Sequence, residues 1–203
     1  MNLHFYYTPT IIKLYFCKSF FENTAMEQDE IKYLIDKIKC AGCQHLDLSN
    51  KDITEIPEEI GELTNVKSLD LSFNHISKLP DSIAKMTSLE ELFLMRNSIC
   101  ELPEGIGNLR NLKSLDVSFN PLKSLPRQMG SLNNLQNFDA SFCLLHSIPL
   151  EMVNLQKITR IHFDENPIDC PPLKVIRRGW NAIKYFLTER GKGTSTTTMI
   201  SVQ

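Results

Sequence analysis

Pro57, Pro80, Pro103, Pro126, Pro149 and Pro172 stand 23 residues apart without a slip. An apolar column keeps the same interval through Leu46, Leu69, Leu92, Leu115, Phe138 and Ile161. A second runs two residues behind it through Leu48, Leu71, Leu94, Val117, Ala140 and Phe163. Asn74, Asn97, Asn120 and Asn166 form a third. Cys143 interrupts it in the fifth unit, and in the first unit the asparagine sits one place early, at Asn50. A fixed period held over six units is the signature of a stacked-repeat architecture, because one unit cannot bury its own apolar edge and must lie against its neighbours.

The unit reads L-x-x-L-x-L-x-x-N-x-I-x-x-L-P-x-x-I-x-x-L-x-x. Leu69-x-Leu71 alternates and predicts a short strand with both leucines inward. Asn74 follows where the chain must turn. A buried amide there can bond backbone groups left open by the turn, within its own coil and the next. Pro80 has no N–H to give to a ladder, so it marks the return leg. Ile83 and Met86 then fall at helical spacing on the convex side. The expected fold is an α/β solenoid of about six 23-residue coils with a helix at each end. Residues 26–43 predict the first helix, with Ile31, Leu34, Ile35 and Ile38 on one face. The coils occupy 44–172. Residues 173–190 predict the second helix, with Val175, Ile176, Trp180, Ile183 and Phe186 apolar and Trp180 plugging the last coil. Residues 191–203 read as a disordered tail.

Ile56-Pro57-Glu58-Glu59-Ile60-Gly61-Glu62-Leu63 and Leu69-Asp70-Leu71-Ser72-Phe73-Asn74 resemble the leucine-rich repeat family, and within it the Ras-group class found in plant intracellular Ras-group proteins and in Scribble and Erbin. The resemblance covers about residues 44–187 and includes the terminal run Gly179-Trp180-Asn181-Ala182-Ile183. It implies a horseshoe segment and a role in protein–protein interaction and signalling, with Ras-type small GTPases or their regulators as candidate partners. A shared scaffold does not specify one partner.

Residues 3–21 are the most apolar stretch, but His4, Pro9, Lys13 and Lys18 interrupt it and it falls short of a membrane span. No small-residue cleavage site follows. Residues 1–25 are therefore read as a leader outside the fold, with Met26 a candidate native start. The six cysteines have no disulfide-framework spacing, and no Asn-x-Ser/Thr acceptor occurs. The extracellular members of the family usually end in a cysteine-rich cap, and no cysteine follows Cys170. The expected compartment is the cytoplasm, with an extracellular recognition or adhesion module as the alternative.

A net charge of −2 supplies no global attraction for nucleic acid. The charge is divided: residues 26–110 carry 9 basic and 16 acidic residues, residues 111–203 carry 11 and 7. Nothing in the sequence points to an enzyme, a cofactor or a metal. Gly105-Ile106-Gly107 lacks a third glycine and falls on the convex turn. Cys40-Ala-Gly-Cys43 is a single CxxC without a second pair. Asp47, Asp70, Asp116 and Asp139 form a column that reads as a property of the repeat.

The strand residues that alternate with the leucines line the concave face. Most are small and polar. Coil three departs, with Glu91, Phe93, Met95 and Arg96, and Phe73, Phe119 and Phe142 flank it. Aromatic residues, Met and Arg are the types enriched at interface cores and hot spots. Phe93 and Met95 read as solvent-facing binding residues, with Glu91 and Arg96 beside them. For Phe73, Phe119 and Phe142 two readings stay open, contact with a partner or packing into the edge between strand and turn.

Overall fold

The structure, a computed structural model, describes residues 27–193. The expectations for the leader, and for the tail beyond Gly193, lie outside the described residues.

The first helix, α1, spans Gln28–Ala41. The Glu30 carboxylate turns back to accept the Glu27 amide at 3.2 Å, which occupies one of the donors a helix start leaves open. Asp29 and Glu30 place negative charge in the first turn, where the helix dipole favours it. The helix ends on Gly42, whose φ of 64° lies in the left-handed region that glycine enters without a side-chain clash. Ile31, Leu34, Ile35 and Ile38 are all buried, and α1 packs against the first convex turn.

Six three-residue strands follow: β1 His45–Asp47, β2 Ser68–Asp70, β3 Glu91–Phe93, β4 Ser114–Asp116, β5 Asn137–Asp139 and β6 Arg160–His162. They form one parallel sheet in chain order. The register is that of the repeat, with Leu46, Leu69, Leu92, Leu115, Phe138 and Ile161 in a line. Backbone pairing between coils continues past the strand ends, as in Leu71 N to Phe93 O at 2.8 Å and Phe73 N to Met95 O at 2.8 Å.

Each convex return is a single turn of 3-10 helix that begins directly after a column proline: Glu58–Glu62, Asp81–Lys85, Glu104–Asn108, Arg127–Ser131 and Leu150–Asn154. Ile60, Ile83, Ile106, Met129 and Met152 point from these turns into the core, where all are fully buried. The turns approach one another closely. A Cβ added at Gly107 would stand 2.6 Å from the Gln128 carbonyl oxygen, and Gly61 and Gly130 face Ser82 and Glu151 in the same way. These glycines exist because the next coil's backbone fills the place of a side chain.

The C-terminal segment differs from expectation. In place of one helix over 173–190 there are two, α2 Leu173–Ile176 and α3 Trp180–Gly193. Gly179, at φ 82°, reverses the chain between them. Residues 191–193, expected in the tail, continue α3. Ile183 and Leu187 are buried, and Trp180 and Phe186 pack partly covered against the core. The α3 helix lies on the last 3-10 turn.

Candidate functional site

Behind the concave face, the asparagine column holds the coils together. Asn74 donates to the carbonyl oxygens of Leu48 and Leu71, both at 2.9 Å, and accepts the amides of Lys51 and Ile53, both at 3.0 Å. Asn97, Asn120 and Asn166 repeat the arrangement, each donating to a carbonyl in the preceding coil. Cys143 substitutes a thiol that reaches Val117 O at 3.4 Å and Ser141 O at 3.6 Å. Burial pushes this thiol's pKa up, with backbone groups of Asn120 and Leu122 acting the other way.

The residue after the asparagine's leucine strand has a job of its own. Asp47, Asp70, Asp116 and Asp139 each accept the backbone amide two residues on, at 2.8–2.9 Å. In coils one and four the hydroxyl of that same residue, Ser49 or Ser118, also donates to the same oxygen, at 2.7 and 2.6 Å. A short polar side chain that satisfies the backbone at a strand end is a turn device, and it accounts for the aspartate column without any acid–base chemistry.

Coil three gives this device up. Phe93 stands where the carboxylate would be, and Met95 where the serine would be. Both are half-buried, and Phe93 lies in register between Asp70 and Asp116 of the neighbouring strands. Glu91 lies at the strand start, where its carboxylate accepts the Ser68 hydroxyl at 2.9 Å.

The next column holds a feature the spacing did not reveal. Asn50, Phe73, Arg96, Phe119, Phe142 and Glu165 all have φ between 54° and 58°. Only a few per cent of non-glycine residues adopt this left-handed conformation, asparagine most readily. The conformation projects each side chain at the rim of the concave sheet. Phe73, Phe119 and Phe142 are 46%, 37% and 49% exposed. They are not tucked into the turn. The Arg96 guanidinium lies over Phe73 at 5.7 Å and over Phe119 at 4.7 Å from the ring centroids. Phe119 in turn stacks on Phe142, 4.4 Å apart with planes 9° from parallel. Four successive coils thus carry a ladder Phe73–Arg96–Phe119–Phe142. Of the sequence-selected residues, the structure joins Phe73, Arg96 and Phe119 in this ladder and leaves Glu91, Phe93 and Met95 on the strand beside it. Phe142 belongs with them; Asn50, the residue type best suited to a left-handed backbone, is the one trace of the column's conformation in the sequence.

Other chemistry is sparse. Cys40 is exposed and Cys43 buried on either side of Gly42, and burial pushes the Cys43 pKa up. Among the described residues no three His, Cys, Asp or Glu side chains are grouped to hold a metal ion, and no helix is long and apolar enough to cross a membrane.

The family model described as a leucine-rich repeat region matches residues 28–120, and the model of the leucine-rich repeat itself matches residues 111–132. With the six-stranded parallel sheet, these decide the assignment. The chain is a leucine-rich repeat protein. No curated protein matches the sequence. Among solved structures, this leucine-rich repeat protein is similar to the plant peptide hormone receptor RGFR1, described in complex with RGF2, at 30% identity and a TM-score of 0.58, covering 63% of this chain and 22% of that one. It is similar to the ectodomain of the receptor kinase SOBIR1 from Arabidopsis thaliana at 28% identity and a TM-score of 0.55, covering 61% and 70%. A leucine-rich repeat protein of Leptospira interrogans matches at 28% identity and a TM-score of 0.53, covering 64% and 40%. The leucine-rich repeat domain of the type III effector XopL shares the fold at 23% identity and a TM-score of 0.61. The chain spans about a fifth of the RGFR1 chain and two fifths of the Leptospira protein. Leucine-rich repeat solenoids generally serve as modules for protein–protein interaction.

Proposed function

We propose that this chain is an intracellular protein–protein interaction module, a signalling scaffold or adaptor that holds a protein partner on its concave face at coil three. One observation carries the reading. Coils one, two, four and five bond a strand-end amide to an aspartate, and coil three replaces that bond with Phe93 and Met95. A hydrogen bond of this kind contributes about 1 kcal/mol, and the burial of two half-covered apolar side chains at best offsets its loss while leaving apolar surface open to water. They suit a surface that becomes covered. The Ras-group resemblance supports a Ras-type small GTPase or its regulator as the partner, in the cytoplasm.

The test is affinity capture from cytosolic extract with the full chain as bait, beside a panel of Ras-type GTPases in both nucleotide states. Proteins held by the wild type and released by Phe93→Ala with Met95→Ala identify the partner. Capture that the double variant leaves unchanged refutes the site.

The likeness to a plant peptide hormone receptor and to a receptor-kinase ectodomain favours a second reading, an extracellular recognition module. Thiol counting separates the two. Cys40, Cys43, Cys100, Cys143 and Cys170 are free in the structure, and an intracellular protein isolated natively titrates with free thiols throughout. Native disulfides assign it to the outside of the cell.

A further inference from the structure

The ladder at the rim contains one cation, and its geometry restricts what that cation can bind. A guanidinium is planar, with five N–H donors lying in its plane and its two faces available for stacking. The Arg96 guanidinium lies over two rings, Phe73 at 5.7 Å and Phe119 at 4.7 Å from the centroids. Its in-plane donors have no hydrogen-bond or ion-pair partner among the described residues. Arginine side chains at a surface ordinarily sample many rotamers, and ordering one costs entropy. Here the rings hold the group before any ligand arrives, so less freedom is lost on binding.

Charge adds direction. The coil that carries the cation is the one among coils one to five without an aspartate at its strand end, because Phe93 stands there. The adjacent carboxylates, Asp70 and Asp116, are already accepting the amides of Ser72 and Ser118. On one side of Arg96 the stacked pair Phe119–Phe142, both rings exposed, forms an apolar shelf.

We infer that Arg96 is a preorganised carboxylate receptor, and that the partner presents an Asp or Glu side chain to its edge with an aromatic or aliphatic neighbour lying on the Phe119–Phe142 shelf. An arginine held over two rings offers two parallel N–H groups, which match the two oxygens of a carboxylate. This inference rests on the proposed protein-binding face and adds the chemistry of what that face recognises.

The probe is a random dodecapeptide library displayed on phage and selected against the full chain, followed by titration of synthetic peptides from the selected pool. The expected pool carries Asp or Glu next to an aromatic or aliphatic residue. Arg96→Gln should weaken a selected peptide at least tenfold, and replacing the peptide's acid by its amide should weaken it equally. Arg96→Lys should fail to restore affinity, because an ammonium cannot form the bidentate pair. An unchanged thermal midpoint in the arginine variants confirms that the loss is not unfolding. A pool without acidic residues, or peptides that bind Arg96→Gln as well as wild type, overturns the inference. If those same peptides are lost with Phe93→Ala and Met95→Ala, the concave face stands and the carboxylate receptor falls. If inorganic phosphate at millimolar concentration displaces the peptide while acetate does not, the anion read at Arg96 is phosphate and the carboxylate assignment is wrong.

Discussion

Phe138 and Phe163, from coils five and six, meet edge to face with ring centroids 5.7 Å apart and planes at 77°. Ala140 shares a column with Phe163 and lies two residues after Phe138; coils one to four carry Leu or Val at its position, and it is fully buried. Two large rings therefore occupy the volume that a short side chain leaves open. Interiors are close-packed, and compensating changes of this kind keep total volume constant.

Ala140→Leu is expected to destabilise the protein, by about 1–3 kcal/mol, since overpacking forces side chains off their rotamers. Chemical denaturation measures it. A clear gain in stability would mean that the slot was empty and the rings do not fill it.

Cys143 marks the weak joint between coils. Asn120 one coil earlier donates to three carbonyls and accepts the Ile99 amide at 3.0 Å. The thiol has one hydrogen to give. Cys143→Asn replaces a weak sulfur acceptor for the Leu122 amide by an amide oxygen and should stabilise by about 1 kcal/mol. In the wild type, amide exchange should be faster in β5 than in β3 or β4, because a stacked array loosens where an interface is weak. Slower exchange in β5 would contradict this.

The thiol also gives a pH signature. Burial holds the Cys143 pKa above its ordinary value in the folded state. The folded chain therefore keeps its proton after the unfolded chain has lost it. The contribution is fully present below the unfolded thiol pKa, about 8.5, and is lost as pH rises above it through the folded value. Stability should fall with pH above about 8.5 more steeply in wild type than in Cys143→Asn. Parallel curves for the two proteins would show that the thiol titrates alike in both states.

Much of the architecture was legible because it is periodic. Coil boundaries, strand register and the buried asparagines all follow from a 23-residue interval that packing imposes on every unit alike. What lay beyond the sequence depends on backbone geometry shared between coils. The sequence placed Gly107 on the convex turn, whereas the structure gives it, with Gly61 and Gly130, a packing reason, the approach of Gln128, Ser82 and Glu151. The split of the C-terminal helix turns on the φ of Gly179. Phe73, Arg96 and Phe119 were singled out by residue type, but their union into a ladder needs the left-handed backbone that points them along the rim.

Gly107→Ala tests that close approach. The new Cβ would meet the Gln128 carbonyl oxygen at 2.6 Å, and a backbone atom cannot swing aside. The coils would have to separate locally, at an expected loss of about 1–3 kcal/mol. Gly42→Ala serves as a contrast, since nothing lies within 4 Å of its Cβ and only the left-handed φ of 64° is strained. That strain costs about 1–2 kcal/mol. A crystal structure of the Gly107 variant should show a displaced 3-10 turn at Arg127–Ser131, and the Gly42 variant should leave the coils where they are. A Gly107 variant as stable as wild type would refute the packing role.

The strongest separation of function from stability lies in returning coil three to the pattern of its neighbours. Phe93→Asp with Met95→Ser rebuilds the pair found at Asp70 and Ser72, where the carboxylate accepts the Ser72 amide at 2.8 Å. The rebuilt bond should add about 1 kcal/mol. Against it stands the loss of apolar area from two half-buried side chains, at roughly 25 cal/mol per Å² removed from water. Because Phe93 and Met95 are only half-buried, the two contributions nearly cancel, and the thermal midpoint should move by a few degrees at most. Binding should behave otherwise. Interface residues of these types cost about 2 kcal/mol or more each when truncated, so partner affinity should fall by two orders of magnitude or more. A carboxylate placed beside Arg96 would also compete for its in-plane donors, which deepens the loss. Titrating the captured partner against both proteins, with thermal denaturation alongside, reads the two effects separately. A large fall in the midpoint would place Phe93 and Met95 in the core, and undiminished affinity would remove coil three from the binding face.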